Sequence, residues 1–120
     1  MKQERDLINE ILLRASERGH RLFRQNTGKG WVGTSTPVPQ TPGSANTIIV
    51  RNARPLIAGL CVGSSDIIGW TSGGRFVALE VKTPGVRTSK EQAAFIKAAH
   101  ASGCIAEVVF SADEALALLP

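Results

Sequence analysis

The sequence contains few cysteines and no long apolar run, and each of these absences excludes a class of protein. No run of about 18 apolar residues occurs, which argues against a membrane-spanning helix. The first residues are charged and lead into an amphipathic helix rather than a secretory signal, so a cytoplasmic protein is expected. Cys61 and Cys104 lack the spacing of a metal site and are expected to be reduced core residues. A 42% hydrophobic content over 120 residues predicts one compact domain spanning 1–120.

Acidic residues are scarce in one part of the chain. Residues 14–54 contain a single acid, Glu17, against seven basic residues: Arg14, Arg18, Arg21, Arg24, Lys29, Arg51 and Arg54. A basic segment beside an acidic pocket suits a polyanion whose phosphates must approach bound metal. Charge alone leaves an ordinary solvated surface as an equal alternative.

Periodicity in the first half of the chain predicts a helix and a strand, followed by a long connection. Apolar residues at helical spacing predict a helix over residues 3–18, and alternation predicts a strand over 21–25. Residues 26–47 are rich in Gly, Thr, Ser and Pro, which predicts a long loop that is functional or partly disordered. Residues 48–50 are predicted to form a short strand or part of an arm. The whole stretch 29–54 is therefore treated as a loop or arm insertion.

The second half alternates strands and helices. A hairpin is predicted over 66–82, and the capping pattern Thr88-Ser89-Lys90-Glu91 opens a helix that runs to about residue 102. Residues 105–110 form an apolar strand, and a second capping pattern from Ser111 opens a last helix. The order αβββαβα predicts an α/β fold with one sheet flanked by helices.

The hairpin carries charge where buried strands are normally apolar. A turn centred on Gly73 would place Asp66 directly opposite Glu80, whereas a two-residue Gly73-Gly74 turn would leave them diagonal. Side chains directly opposite each other are about 5 Å apart at Cβ, close enough for two carboxylates to share one cation. Alternation puts Lys82 and the small Ala78 on the same face as Glu80. Because buried charges are costly unless paired or metal-bound, a convergent pocket is predicted.

Two carboxylates and a lysine in one pocket fit metal-assisted hydrolysis of a phosphodiester. Oxygen ligands suit a hard cation such as Mg²⁺ or Mn²⁺, and an ammonium can orient water or stabilise developing negative charge. A simple salt bridge from Lys82 is the alternative, but it would leave one carboxylate uncompensated. Glu4 lies almost on the buried stripe of its helix, although periodicity alone favours the interpretation of a first-turn acid that stabilises the helix dipole. His20 and His100 are isolated near helix ends and are expected at the surface or as caps.

Five ordered elements of the chain resemble the VRR-NUC branch of the PD-(D/E)xK nucleases. They are the helix acid Glu4, the segment Arg24-Gln25-Asn26-Thr27-Gly28, the segment Gly63-Ser64-Ser65-Asp66-Ile67, the strand Glu80-Val81-Lys82 and the helix start Ser89-Lys90-Glu91-Gln92. The resemblance covers nearly the whole chain and implies a restriction-endonuclease-like mixed sheet. Ser65 stands where the wider superfamily often has proline before the aspartate. No motif of the family matches the stretch 29–54.

The resemblance implies a role for each matching residue. Asp66 and Glu80 would ligate the metal together with the Val81 carbonyl and, directly or through water, Glu4. Lys82 would position the nucleophilic water, and Gln92 would orient Lys82 or the scissile phosphate. Arg24 and Asn26 would support the pocket or contact DNA, and further DNA contacts are expected from four basic residues: Lys29, Arg51, Arg54 and Arg87.

The resemblance also implies a substrate and an assembly. Stand-alone members of this branch are typically phage or bacterial proteins, and the family implies homodimers acting on branched DNA such as four-way (Holliday) junctions. A phage-encoded member would act in the host cytoplasm. Flaps, nicks or single-stranded DNA remain alternative substrates for the same pocket, and a non-catalytic DNA-binding module remains an alternative function.

Overall fold

The computed structural model describes residues 3–38, 43 and 46–120 of the chain. Its helices are α1 (Glu4–Glu17), α2 (Lys90–Ala101) and α3 (Ala112–Leu118). Its strands are β1 (Arg21–Arg24), β2 (Gly28–Pro37), β3 (Ile48–Ala58), β4 (Ile67–Trp70), β5 (Phe76–Val81) and β6 (Ile105–Val109). The predicted α/β class, with a mixed sheet flanked by helices, is confirmed. None of the described helices is long and apolar enough to cross a membrane.

Four strands form the main sheet, in the order β1-β4-β5-β6. The first three are antiparallel neighbours, and β6 runs parallel to β5 because α2 carries the chain back to the same end of the sheet. Ile67 pairs with Leu79, so the β4–β5 register is centred on Gly73. Of the two predicted alternatives, this register is the one that puts Asp66 opposite Glu80.

One face of the main sheet carries the hydrophobic core. Val77, Leu79 and Val81 alternate along β5 and are fully buried against α1 and α3. The apolar stripe of α1 covers them, with Ile11 completely buried at its centre. Burying a side chain of this size contributes about 1.5–3 kcal/mol. The opposite face of β5 presents Glu80 toward the start of α2, so the sheet separates the core from the charged pocket.

Residues 28–37 and 48–58 form a two-stranded antiparallel hairpin, hereafter the β2–β3 arm. The predicted loop over 26–47 is therefore wrong for residues 28–37, and the short strand at 48–50 extends to Ala58. The register shifts at a bulge between Val32 and Thr34. The part of the predicted loop at residues 39–42, 44 and 45 lies outside the described residues.

Two expectations about isolated residues are wrong. Cys61 and Cys104 are free thiols, as expected, but Cys61 is exposed rather than part of the core. His20 is only 1% exposed. The backbone N–H of Ser72 donates to His20 Nδ1 at 3.0 Å, so Nε2 carries the proton and donates to the Pro120 carbonyl oxygen at 3.0 Å. A capping role at the helix end would have left this ring in solvent.

Candidate active site

Asp66 and Glu80 meet where β4 begins beside the end of β5. Asp66 precedes β4 by one residue, and its Oδ2 accepts a hydrogen bond from the backbone N–H of Val81 at 2.9 Å. Glu80 is fully buried, whereas Asp66 is half-buried. The pocket is thus built by the hairpin register, because the same antiparallel pairing that aligns Ile67 with Leu79 aligns the two carboxylates.

The two oxygens of Glu80 have different surroundings. Oε1 accepts a hydrogen bond from Gln92 Nε2 at 3.1 Å and lies 3.7 Å from Lys82 Nζ. Oε2 is buried and has no hydrogen-bond partner among the described residues. Lys82 remains 12% exposed at its side chain, so its ammonium lies between the buried carboxylate and solvent. The predicted convergence of Glu80 and Lys82 on one face is therefore seen directly.

The pKa of Glu80 is raised to about 8. Burial is the largest cause, followed by a hydrogen bond to Asp66 that only the protonated form of Glu80 can make, and then by the negative charge of Asp66. Lys82 acts in the opposite direction, and the charge of Glu4 adds a smaller increase. Two carboxylates side by side both prefer to accept hydrogen bonds, so one of them retains a proton unless a cation compensates the pair.

Gln92 links the first turn of α2 to the buried carboxylate. Its Oε1 accepts from the backbone N–H of Ser89 at 2.7 Å, and its backbone N–H donates to Ser89 Oγ at 3.1 Å. These two bonds form the capping box, one residue later than the predicted box that began at Thr88. The amide nitrogen of Gln92 is then available for Glu80. Gln92 thus contacts the carboxylate of Glu80, and its role in orienting Lys82 or the scissile phosphate stays a prediction.

The donor set of the pocket fits a hard divalent cation. The buried, unpartnered Oε2 of Glu80 beside a second carboxylate is an arrangement that a cation would satisfy, and oxygen ligands are those that Mg²⁺ and Mn²⁺ prefer. Among the described residues, no three His, Cys, Asp or Glu side chains come together as a metal cluster. Glu4 is near enough to act on Glu80 through its charge, but it does not complete such a cluster. Val81 lies at the end of β5, next to the carboxylates.

Gln25 is a site residue that the sequence analysis missed. Its backbone N–H donates to the carbonyl oxygen of Asp66 at 2.7 Å, and its Nε2 donates to Ser64 Oγ at 2.7 Å and to the Ser65 carbonyl oxygen at 2.9 Å. Its Oε1 accepts from the backbone N–H of Leu60 at 3.1 Å. Gln25 therefore fixes the segment that leads into Asp66. Its place inside the segment Arg24–Gly28 was the only available signal.

Ser65 is the second orphaned group at this site. Its side chain is fully buried, and its Oγ has no hydrogen-bond partner among the described residues. Among the described residues, two buried side-chain oxygens have no hydrogen-bond partner: Ser65 Oγ and Glu80 Oε2. One of these oxygens belongs to a predicted metal ligand and the other to the residue before one, so the unpaired buried oxygens of the described chain concentrate at the candidate site.

The predicted DNA-binding residues do not all lie together. All six are exposed: Arg24, Asn26, Lys29, Arg51, Arg54 and Arg87. Arg24 ends β1 next to Gln25, and Arg87 lies in the connection before α2. The other three basic residues belong to the β2–β3 arm. Arg24, Asn26 and Arg87 are thus close in sequence to segments that form the pocket. The other three residues lie on the β2–β3 arm.

Comparison with known proteins agrees with this geometry. The family model of the VRR-NUC domain matches residues 5–113, which is nearly the whole chain. No curated protein matches the chain. The matched span includes Asp66, Glu80, Lys82 and Gln92, the residues that meet in the pocket. The chain therefore belongs to the VRR-NUC family, whose domain is a nuclease of the PD-(D/E)xK type.

Proposed function

We propose that the chain is a divalent-metal-dependent DNA endonuclease that acts as a homodimer on branched DNA such as four-way junctions. The metal-dependent chemistry is supported by the pairing of Asp66 with the buried Glu80, which lies next to Lys82. Oε2 of Glu80 has no hydrogen-bond partner among the described residues. PD-(D/E)xK nucleases generally use divalent metals. Branched DNA and dimerisation rest on the resemblance and on one site per chain, since symmetric cutting of two strands requires two copies.

Asp66 and Glu80 are the residues proposed to hold Mg²⁺ or Mn²⁺, with the Val81 carbonyl and Glu4 as further contributors. A bound cation would supply Lewis acidity to a phosphoryl oxygen and lower the pKa of a bound water. Two carboxylates, rather than one, provide the negative charge needed to attract a divalent ion. Their fixed positions mean that little reorganisation is needed on binding.

Lys82 is proposed to contact the substrate or the attacking water. Gln92 is proposed to hold the carboxylate of Glu80. The Lys82 ammonium is partly exposed, so it can donate to the attacking water or to a phosphate oxygen at the pocket opening. Gln92 holds Oε1 of Glu80 by its 3.1 Å hydrogen bond, which leaves the buried Oε2 as the acceptor that a cation would take up. Arg24, Asn26 and Arg87 are proposed to bind the DNA backbone at the edges of the pocket. These steps would take place in the cytoplasm, of the host if the chain is phage-encoded.

The test is cleavage of a panel of labelled DNAs in Mg²⁺ or Mn²⁺ by the wild type, Asp66→Asn and Lys82→Ala. A four-way junction, a flap, a nicked duplex, a linear duplex and a single strand form the panel. We expect junction cleavage to fall by a factor on the order of 10²–10³ or more in each variant, because each removes a preorganised electrostatic contact. Lys97→Ala, which removes an exposed lysine of α2, is the matched control and should cleave normally.

Each outcome of this panel has a definite meaning. Undiminished cleavage in both Asp66→Asn and Lys82→Ala would overturn the assignment of the site. Metal-dependent cleavage of flaps, nicks or single strands in preference to junctions would retain the site and replace the proposed substrate. Sedimentation of the wild type with and without junction DNA reports whether two copies act together.

A further inference from the structure

The β2–β3 arm differs from the rest of the described chain because its two strands make their main contacts with each other. In the described chain, β2 and β3 pair with each other, whereas the other four strands form the main sheet. All residues from 51 to 58 are exposed. An isolated two-stranded ribbon is only marginally stable in water, so an arm of ten and eleven residues is expected to lie against a further surface when it functions.

The bulge in the arm places two arginines on one face. Val32 pairs with Arg54, and Thr34 pairs with Arg51. Val32 and Thr34 are two positions apart on β2, so they and their partners share a face. Without the bulge, the three-residue separation of Arg51 and Arg54 would direct them to opposite sides. We call the side that carries Thr34, Thr36, Arg51 and Arg54 the basic face.

The opposite side of the arm carries Trp31, and one short distance supports the alternation across the bulge. A Cβ built on Gly33 would lie 2.9 Å from Val50 Cγ1, so position 33 and the Val50 side chain share a face. Trp31 is two positions from Gly33 on β2 and pairs with Pro55 on β3. Trp31 is 66% exposed on this side. The arm therefore has two faces: both arginines lie on the basic face, whereas Lys29 lies on the side of Trp31.

The charge on the basic face has no acidic counterpart nearby. The sequence contains no Asp or Glu between Glu17 and Asp66, and within the described chain no ion pair involves Arg51 or Arg54. Two exposed guanidinium groups with threonine hydroxyls beside them complement a row of phosphates, since Arg and Thr are common donors to phosphate oxygens. A polyanion is therefore the partner of fitting chemistry.

We propose that the basic face of the β2–β3 arm binds double-stranded DNA beside the phosphodiester that the active site cuts. The proposal rests on the proposed function for its choice of DNA as the polyanion. A two-stranded ribbon has the width that the major groove of B-DNA, about 12 Å across, admits. The bulge supports this use because it increases the twist of a ribbon that must follow a helical groove.

The base of the arm lies against the catalytic segment. Gln25, three residues before β2 begins, donates its backbone N–H to the Asp66 carbonyl oxygen. Its side-chain oxygen accepts from Leu60, two residues after β3 ends. Both strands of the arm are therefore connected to the rest of the molecule next to Asp66. DNA held along the basic face is led to the pocket rather than away from it.

The test measures binding of the whole chain to a short linear duplex in EDTA, where no cleavage occurs, across a series of salt concentrations. We expect Arg51→Ala and Arg54→Ala each to weaken binding several-fold and to reduce the slope of log affinity against log salt by about 1. The double variant should reduce the slope by about 2. Lys97→Ala removes one exposed charge from α2 and should leave the slope unchanged. Trp31→Ala truncates the opposite face without changing charge and should also retain the slope.

The outcomes separate this proposal from the proposed function. If both arginine variants bind and cleave as the wild type does, the arm does not hold DNA, although the nuclease assignment stands. If the slopes fall as expected but the wild type cleaves no DNA in Mg²⁺ or Mn²⁺, the arm proposal stands and the proposed function fails. If the variants alter sedimentation while duplex affinity is unchanged, the basic face binds a second copy, which overturns the proposal.

Discussion

The body of the molecule, which consists of the main sheet and its three helices, and the β2–β3 arm both contain antiparallel strands, yet they are held together by different forces. In the body, β4 and β5 bury one face against α1 and α3, and Val77 and Leu79 are inaccessible to solvent. In the arm, Ile57 pairs across the ribbon and remains 69% exposed. The body is therefore stabilised by apolar burial, and the arm by its own hydrogen bonds. This difference indicates that the body determines stability while the arm is free to serve binding.

The largest expected effect comes from removing a core side chain from the body. Ile11→Ala should lower the free energy of unfolding by about 2–5 kcal/mol, because it leaves a cavity in a fully buried site. Ile57→Ala on the arm should change it by less than about 0.5 kcal/mol. Urea titration followed by circular dichroism measures both. Equal losses would mean that the arm belongs to the same cooperative unit as the core.

The second prediction concerns the pH dependence of the metal-free body. The pKa of Glu80 rises from 4.5 to about 8 on folding, so the folded state binds the proton more tightly than the unfolded chain does. Stability contributed by this group is therefore present at low pH and is lost as pH rises from about 4.5 through about 8. Glu80→Gln should remove this loss in thermal melts recorded in EDTA.

Glu107→Gln is the control for that measurement, because it neutralises an exposed carboxylate on β6. It should leave the pH dependence of the wild type in place. A Glu80→Gln profile that runs parallel to the wild type would show that the buried carboxyl does not titrate in this range. In cleavage assays the same variant should be inactive, since a neutral amide lacks the negative charge with which the carboxylate pair attracts a divalent cation.

A smaller effect is expected at the junction between body and arm. Gln25→Ala removes three side-chain hydrogen bonds around the segment before Asp66 and should cost about 1–3 kcal/mol. Because Asp66 is then less firmly placed, the metal concentration needed for half-maximal cleavage should rise. Gln25→Glu retains the acceptor for Leu60 but sets a carboxylate oxygen against the Ser65 carbonyl oxygen, so its effect should be at least as large as that of alanine. An unchanged metal requirement in Gln25→Ala would make the residue purely structural.

The smallest effect on global stability is expected within the arm itself. A Cβ at Gly33 would lie 2.5 Å from the Arg51 carbonyl oxygen, so Gly33→Ala should distort the bulge. The free energy of unfolding of the body should change by less than about 0.5 kcal/mol. Hydrogen exchange should nevertheless speed up in β2 and β3, and duplex binding should weaken as in the arginine variants. Unaltered exchange in the arm would show that the ribbon tolerates the extra methyl group.

The β4–β5 hairpin was the part of the fold that the sequence predicted best. Its register follows from where the turn is centred, and both apolar runs are long enough to leave few alternatives. The pocket followed from that register, since Asp66, Glu80 and Lys82 are close in sequence and joined by one turn. The predicted helix start was displaced by one residue, because Ser89 and Thr88 are both good caps and only the contact of Gln92 with Glu80 distinguishes them.

The arm was missed for a physical reason. Its strands contain Gly28, Gly30, Pro37 and Pro55, residues that weaken a strand prediction, and the ribbon buries neither face. Without burial no clean alternation of apolar and polar residues is required. Gln25 and His20 were missed for another reason. Their partners lie about 35 to 100 residues away in the chain, and no local pattern reveals such contacts.

The position of the β4–β5 turn has a consequence for how this protein tolerates change. Gly73 is exposed and far along the strands from the carboxylates, a place where insertions are ordinarily accepted. Here one added or deleted residue would shift the pairing of Ile67 from Leu79 to a neighbour and exchange the two faces of β5 relative to β4. Leu79 would then face Asp66, and Glu80 would be directed into the core. The length of an exposed turn is therefore under the same constraint as the side chains proposed to be catalytic.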